Sequence, residues 1–203
     1  MTASIYPIVE GHGEVAAVPI LLRRISSEIL GRHDVKILKP HRLQRGKIVA
    51  AAQDLQKAVE LGKLKVSDSA NGMILLLLDA DDDCPARLAP ALLEKIWRPG
   101  LRTSVVVAKR EFEAWFLAGA RSLRGHPGVS DTAEAPDDPE SIRGAKEFLK
   151  RKILSQSVYS ETIDQPSLAA HLDLAEARAS SSFDKLCRDL CVMLSTPGSA
   201  PKT

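Results

Sequence analysis

The sequence lacks the features that mark several protein classes. No apolar run approaches the roughly 18 residues that a membrane span needs, so no transmembrane helix and no membrane partner is expected. Met1 to Ser4 carry no positive side chain and Glu10 breaks the first apolar run, so no secretory leader is expected either. Cysteine is sparse and odd in number: Cys84, Cys187 and Cys191. That is no disulfide framework, and it suits a reducing, cytoplasmic setting. Cys187 and Cys191 are spaced to share a helix face with no histidine pair nearby, which reads as core packing rather than a zinc site. An excess of either charge is nearly missing, with a net +2 and a pI near 8.4. Such a balance neither requires nor excludes a nucleic-acid partner. A glycine-rich phosphate loop is also lacking, since Gly11-His12-Gly13 is too short to serve, and this counts against a glycosyl- or nucleotidyltransferase.

What is present is the composition of an ordinary globular chain: 203 residues, 44% hydrophobic and 27% charged, enough for one well-packed domain with an appendage. The centre of the pattern is Ile74-Leu75-Leu76-Leu77-Leu78, bounded by Asn71-Gly72 and running into Asp79-Ala80-Asp81-Asp82-Asp83. A short apolar run of this kind is a strand covered on both faces, as in parallel sheets. Three more strands are expected: Ser4 to Val9, Asp34 to Leu38, and Ser104 to Ala108. Pro7 is awkward in a central strand, and predicts a late start or one missing ladder bond. Helices follow each strand, over Glu14 to Leu30, Lys47 to Leu61, Pro85 to Trp97, and from the Phe112-Trp115-Phe116 face to Ala120. Pro19 predicts that regular helix begins a little after Glu14. Strand–helix alternation is the signature of an α/β fold with a four-stranded parallel sheet and helices on both faces.

After a Gly/Pro/Asp-rich loop from Arg124 to Asp137, helices are expected over Pro139 to Leu154, Ser167 to Ala179 and Ser182 to Leu194. The expected organisation is an α/β domain over 1–123, a loop and helical extension packed on it over 124–194, and a disordered tail over 195–203.

A parallel sheet brings the C-terminal ends of its strands to one edge, where open α/β folds keep their ligand sites. That edge receives Glu10, Asp79 and Asp81, and the acids Glu111 and Glu113; Glu14 lies one turn past Glu10. If strand geometry continues past Leu78, Asp79 and Asp81 point the same way. Two carboxylates about 4 Å apart repel by about 4 kcal/mol at an effective dielectric of ~20, and a raised pKa, a basic partner or a divalent ion relieves this. Oxygen-only ligands favour Mg²⁺ or Mn²⁺, as one ion or two. Lys39, Arg42, Arg45 and Lys47 from the most basic loop, with Lys109 and Arg110, are the candidates for phosphate contacts.

Ile8-Val9-Glu10-Gly11, followed by Leu77-Leu78-Asp79-Ala80-Asp81, resembles the Toprim domain of topoisomerases, bacterial primases, recombination proteins and overcoming-lysogenisation-defect nucleases. With Val9-Glu10-Gly11-His12-Gly13-Glu14 and Glu111-Phe112-Glu113-Ala114-Trp115, the chain is similar to a family of short, stand-alone prokaryotic Toprim-like proteins. The resemblance implies a Toprim-like (Rossmann-like) sheet. It implies Glu10 as general base, acid or metal ligand, Asp79 and Asp81 as the catalytic metal pair, and Glu111 or Glu113 at a second metal position. It also suggests Lys146 as a lysine near the metals. Where Toprim proteins often carry a third acid or a glycine after the pair, this chain has Asp82, Asp83, Cys84 and Pro85, so which of Glu14, Asp82, Asp83, Glu111 and Glu113 bind metal stays open. The implied function is a Mg²⁺/Mn²⁺-dependent nuclease, or related phosphoryl-transfer enzyme, acting on DNA or RNA. A partner ATPase in phage defence and a homodimer are further expectations. The alternative is a non-catalytic nucleic-acid-binding or regulatory subunit of an ATPase complex.

Overall fold

A computed structural model describes residues 2–69, 71–155 and 158–195. Its centre is a parallel sheet of strands β1 (Ala3–Val9), β2 (Val35–Ile37), β3 (His41–Arg42), β4 (Asn71–Asp79) and β5 (Arg102–Ala108). The order across it is β2-β1-β4-β5, with β3 also paired to β1, and every pairing is parallel. Four strands were expected; the fifth, β3, lies inside the basic loop. Its two residues pair with Ile8 and Val9, and the Leu43 N–H donates to the Val9 carbonyl at 2.9 Å.

Pro7 fits this division. The Ile5 carbonyl accepts from the Leu38 N–H and the Val9 carbonyl from the Leu43 N–H, so odd residues of β1 turn their polar groups toward β2 and β3. Pro7 falls between them, where β2 has ended and β3 has not begun, so its missing N–H removes no ladder bond. The strand starts on time, at Ala3.

Residues Met73 to Leu78 are all buried. At roughly 1.5–3 kcal/mol per large apolar side chain this run contributes on the order of 10 kcal/mol before entropy is charged against it. Its alternation splits the core. Met73, Leu75 and Leu77 face one layer, while Ile74, Leu76 and Leu78 face the other. The second layer holds helices α2 (Arg45–Val49), α3 (Ala52–Val66) and α4 (Pro85–Ile96). The first holds α1 (Glu14–Arg24, continued by a π-turn over Ile25–Ile29), α5 (Ala114–Ala118), and the helices of the C-terminal part: α6 (Ala145–Phe148), α7 (Glu161–His171), α8 (Leu174–Ala177) and α9 (Ser181–Leu194). Leu149, Leu168, Phe183 and Leu190 share one core with Ile5 and Val106, so the C-terminal part covers a face of the sheet. Residues 196–203 of the expected tail lie outside the described residues. Among the described residues no helix is long and apolar enough to cross a membrane.

Several expected helices change shape. Helix α1 begins at Glu14 despite Pro19. The expected helix over 139–154 is broken into a 3₁₀ turn at Pro139–Ser141, α6, and a π-turn at Leu149–Ile153, because Gly144 takes a left-handed φ of 68° before α6. The expected helix over 167–179 starts earlier, at Glu161, and is split by Asp173, whose side chain caps α8 through the Ala175 and Glu176 N–H groups.

Gly62 of α3 tests whether packing outweighs propensity. Alanine would gain about 1 kcal/mol of helix propensity, but its Cβ would lie 2.4 Å from Cδ1 of the buried Tyr6 ring. We expect Gly62→Ala to destabilise the chain by about 1–3 kcal/mol in urea unfolding; a stabilised variant would mean the α3–β1 contact is looser than described.

Candidate metal centre

From β1 the chain runs out to β2 and β3 on one side and then crosses to β4 on the other, so the β1/β4 boundary is the topological switch point of the sheet. Glu10 follows the last residue of β1, and Asp79 is the last residue of β4. Asp79 has the parity of Met73, Leu75 and Leu77, which directs it into the layer of α1 and the C-terminal helices. There it meets Glu14, the first residue of α1, and Glu113, at the N-cap position of α5.

Each neighbouring acid is held differently. Glu14 Oε2 accepts the N–H groups of Glu10 (3.1 Å) and Gly11 (3.0 Å), closing the turn after β1. A Cβ on Gly11 would lie 2.9 Å from Glu14 Oε1, so that approach needs a glycine. A Cβ on Gly13 would lie 2.2 Å from Gln165 Oε1 and 2.5 Å from the Glu161 carbonyl, so the second glycine lets α7 dock. Glu113 Oε1 accepts from the Tyr159 hydroxyl and from Gln165 Nε2, both at 3.0 Å. Among the described residues, Asp79 Oδ1, Glu10 Oε2 and Gln165 Oε1 are shielded from solvent with no hydrogen-bond partner.

The electrostatics follow from this crowding. Burial raises the Asp79 carboxyl well above the ordinary carboxylate range, and the charges of Glu14, Glu113, Glu10 and Asp81 raise it further. Burial lifts Glu14 to about 7 against the two N–H groups that favour its anion, with Glu10 and Glu113 adding to the rise. Glu113 is raised by burial, which outweighs its bonds from Gln165 and Tyr159. Glu10 is raised by burial too, with Arg45 pulling it down and Asp81 pushing it up. Burial and the charge of Glu113 push the Tyr159 hydroxyl up.

Asp81 departs from the expected alternation. Strand β4 ends at Asp79, and Asp81 turns into the left-handed region at φ 50°. Its exposed carboxylate sits 3.2 Å from Arg45 Nε. Arg110, also left-handed at φ 68°, accepts the Asp81 N–H at 2.9 Å and returns a guanidinium bond to the Asp81 carbonyl at 3.1 Å. Two clasped non-glycine residues in that region store roughly 1–3 kcal/mol each. Asp82 Oδ1 takes both Arg110 and Arg143 at 2.8 Å, and Asp83 takes Arg45 at 2.5 Å.

The basic candidates are largely engaged. Arg45 reaches Glu10 at 3.7 Å, Asp81 and Asp83, and donates to the Asp79 and Ala80 carbonyls. Arg42 lies close enough to lower the Glu10 pKa, and its Nε is buried without a partner among the described residues. Lys47 pairs with Asp54 at 3.6 Å, Lys39 is exposed, and the Lys109 N–H donates to Ser182 Oγ at 3.3 Å. Glu111 diverges from Glu113, accepting the Lys146 N–H at 2.9 Å. Lys146 Nζ pairs with Glu161 and lies 6.0 Å from the Tyr159 ring. Tyr159, Gln165 and Arg143 were not anticipated. Nothing in their sequence context marks them, because only the docking of the C-terminal helices brings them here.

The donors are carboxylate oxygens and one amide oxygen, the set that hard divalent ions prefer. Among the described residues no three of His, Cys, Asp and Glu stand at ligand spacing.

A family model described as a domain of unknown function (DUF4276) matches residues 9–191, and the chain belongs to that family. The match runs from the residue before Glu10 through most of α9, and so takes in the acids together with Tyr159 and Gln165. Neither the curated proteins nor the solved structures gave a match.

The raised acids make stability depend on pH with a definite sign. A carboxyl whose folded pKa lies above its unfolded value stabilises the fold while protonated, and that contribution is lost as pH rises through the folded pKa. For Glu14, rising from 4.5 to about 7, the loss falls between those values. We expect the melting temperature without divalent ions to fall from pH 5 to pH 8, and Glu14→Gln to flatten part of the slope. A pH-independent melting curve would contradict the buried cluster.

Proposed function

We propose that this family member is a Mg²⁺- or Mn²⁺-dependent phosphoryl-transfer enzyme, and within that class a nuclease acting on DNA or RNA through a Toprim-type site. The observation that carries the reading is Asp79, which is shielded from solvent with an unpartnered Oδ1 at the switch point of the sheet and has Glu10, Glu14 and Glu113 around it. A buried anion in such company keeps a proton or takes a cation. The resemblance of the Glu10 and Asp79-Ala80-Asp81 stretches to Toprim motifs points the same way.

Glu10 and Asp79 would hold the ion, with Asp81 joining once it leaves Arg45, and Glu14 or Glu113 on the buried side. Such an ion, when bound, lowers the pKa of bound water and offsets charge on phosphoryl oxygens. Glu10, half-buried with a raised pKa, is suited to take a proton from an attacking water. Tyr159 and Gln165 keep Glu113 turned toward the cluster. Arg42, Lys109 and Arg110, with Lys39 and Lys47 further out, supply positive charge for flanking phosphates. The resemblance adds a partner ATPase and a homodimer to the proposal.

Arg45 favours a second reading. Its guanidinium already neutralises Glu10, Asp81 and Asp83, as a built-in cation would, which suits a non-catalytic subunit that binds nucleic acid. Plasmid nicking with Mn²⁺, alongside calorimetric Mn²⁺ titration, separates the two. We expect Asp79→Asn to lower cleavage by about 100-fold or more while raising the melting temperature, because the isostere removes a buried repulsive charge. Glu10→Gln should lower cleavage similarly. Cleavage undiminished in both variants would refute the catalytic reading, and nucleic-acid binding without any cleavage by the wild type would favour the second.

A further inference from the structure

The backbone at Arg45 is held on both sides. Arg45 opens α2. Before it, the Leu43 N–H donates to the Val9 carbonyl at 2.9 Å; after it, the Gln44 carbonyl accepts the Lys47 and Ile48 N–H groups at 2.8 and 3.1 Å. Ile48 is fully buried, and Lys95 Nζ donates to the Val49 carbonyl at 3.0 Å. Movement of the guanidinium is therefore a rotation of its own long side chain, with α2 left in place.

That guanidinium ties together the acids that end β1 and follow β4. Nη1 donates to the Asp79 carbonyl, and Nη2 to the Ala80 carbonyl at 3.1 Å. On the solvent side the contacts are close. Nε meets Asp81 Oδ2 at 3.2 Å and Nη2 meets Asp83 Oδ2 at 2.5 Å, both acids being more than half exposed. On the buried side the fit is incomplete. Nη1 lies 3.7 Å from Glu10 Oε2, too far for a hydrogen bond. That oxygen and Asp79 Oδ1 are the carboxylate oxygens shielded from solvent with no hydrogen-bond partner among the described residues.

One guanidinium thus sets a single charge against three carboxylates, and it leaves unsatisfied two oxygens of the kind a hard divalent ion takes. Two cations at one carboxylate oxygen repel, so Arg45 and a divalent ion compete for Glu10 Oε2. They compete for Asp81 as well, since its carboxylate pairs with Arg45. Resting on the metal-site reading above, we propose that Arg45 gates the site as a built-in counter-ion. Its guanidinium holds the ion-free acids and swings out when a divalent ion binds, and Asp81 changes partner. The strength of the Arg45 contacts then sets the ion concentration at which the site assembles.

The test uses the isotope-labelled full chain without nucleic acid, with Mg²⁺ titrated under NMR and Mn²⁺ under calorimetry. Without ions the Arg45 Nε–H signal, identified by its loss in Arg45→Lys, should stand apart from those of exposed arginines and exchange slowly with solvent. Saturating Mg²⁺ should move it among them. Arg45→Gln should bind Mn²⁺ about tenfold or more tighter than the wild type, and Arg45→Lys, which keeps the charge without the fork, should fall between them. Arg23→Gln, which removes an equal charge from the exposed face of α1, should bind as the wild type does. An Arg45 signal still protected at saturating Mg²⁺ would overturn the gate, as would an Arg45→Gln chain that binds Mn²⁺ no tighter. The metal site would stand in either case if Asp79→Asn abolishes Mn²⁺ binding. Failure of both the wild type and Arg45→Gln to bind either ion would overturn the gate and the metal site together. The wild-type titration decides the point even where Arg45→Gln is too unstable to titrate.

Discussion

Burial works against the charge of Asp79, and the rest of the site is built around that. Asp79 ends a central strand of the sheet, with one oxygen lacking any partner among the described residues and four other carboxyls close enough to raise its pKa. Much of the surrounding chain manages that charge. Glu14 is turned onto backbone N–H groups, Glu113 is held by Tyr159 and Gln165, and Glu10 is offset by Arg45. None of these contacts satisfies Asp79 itself, and that asymmetry makes this edge a site and not an acidic turn.

The sheet supplies the constraint that keeps the acids together. Met73, Leu75 and Leu77 anchor β4 in the layer shared with α1 and the C-terminal helices, so Asp79 cannot leave that layer without breaking register. The glycines of the Glu-Gly-His-Gly-Glu turn serve the same end. Gly11 gives Glu14 room to reach the backbone, and Gly13 gives α7 room to reach the site. The strained pair Asp81 and Arg110 closes the rim, where Arg45, Arg110 and Arg143 balance the exposed acids that follow Asp79.

Much of this was legible in the sequence. The apolar run before Asp79 is short and bounded by turn and acidic residues, as a covered strand is, and strand–helix alternation winds right-handed, so the parallel sheet and the meeting of Glu10 with Asp79 follow from local pattern and handedness. The pairing of Asp79 with Asp81 was misread because alternation holds only while the strand lasts, and a left-handed residue at Asp81 ends it. Arg42 and Arg45 were read as free for phosphate, yet Arg45 is occupied by acids whose proximity depends on the β3 excursion.

The sequence by itself determined the fold class and the edge of the sheet at which Glu10 and Asp79 end their strands, because these depend on hydrophobic period and chain order over short distances. Only the tertiary structure decided which carboxylates are buried, which are held by arginine, and that Tyr159 and Gln165 hold Glu113. Burial and hydrogen bonding depend on which side chains meet across long separations. Here they depend on α7 docking against α1 through Gly13, a contact between segments some 150 residues apart in the chain.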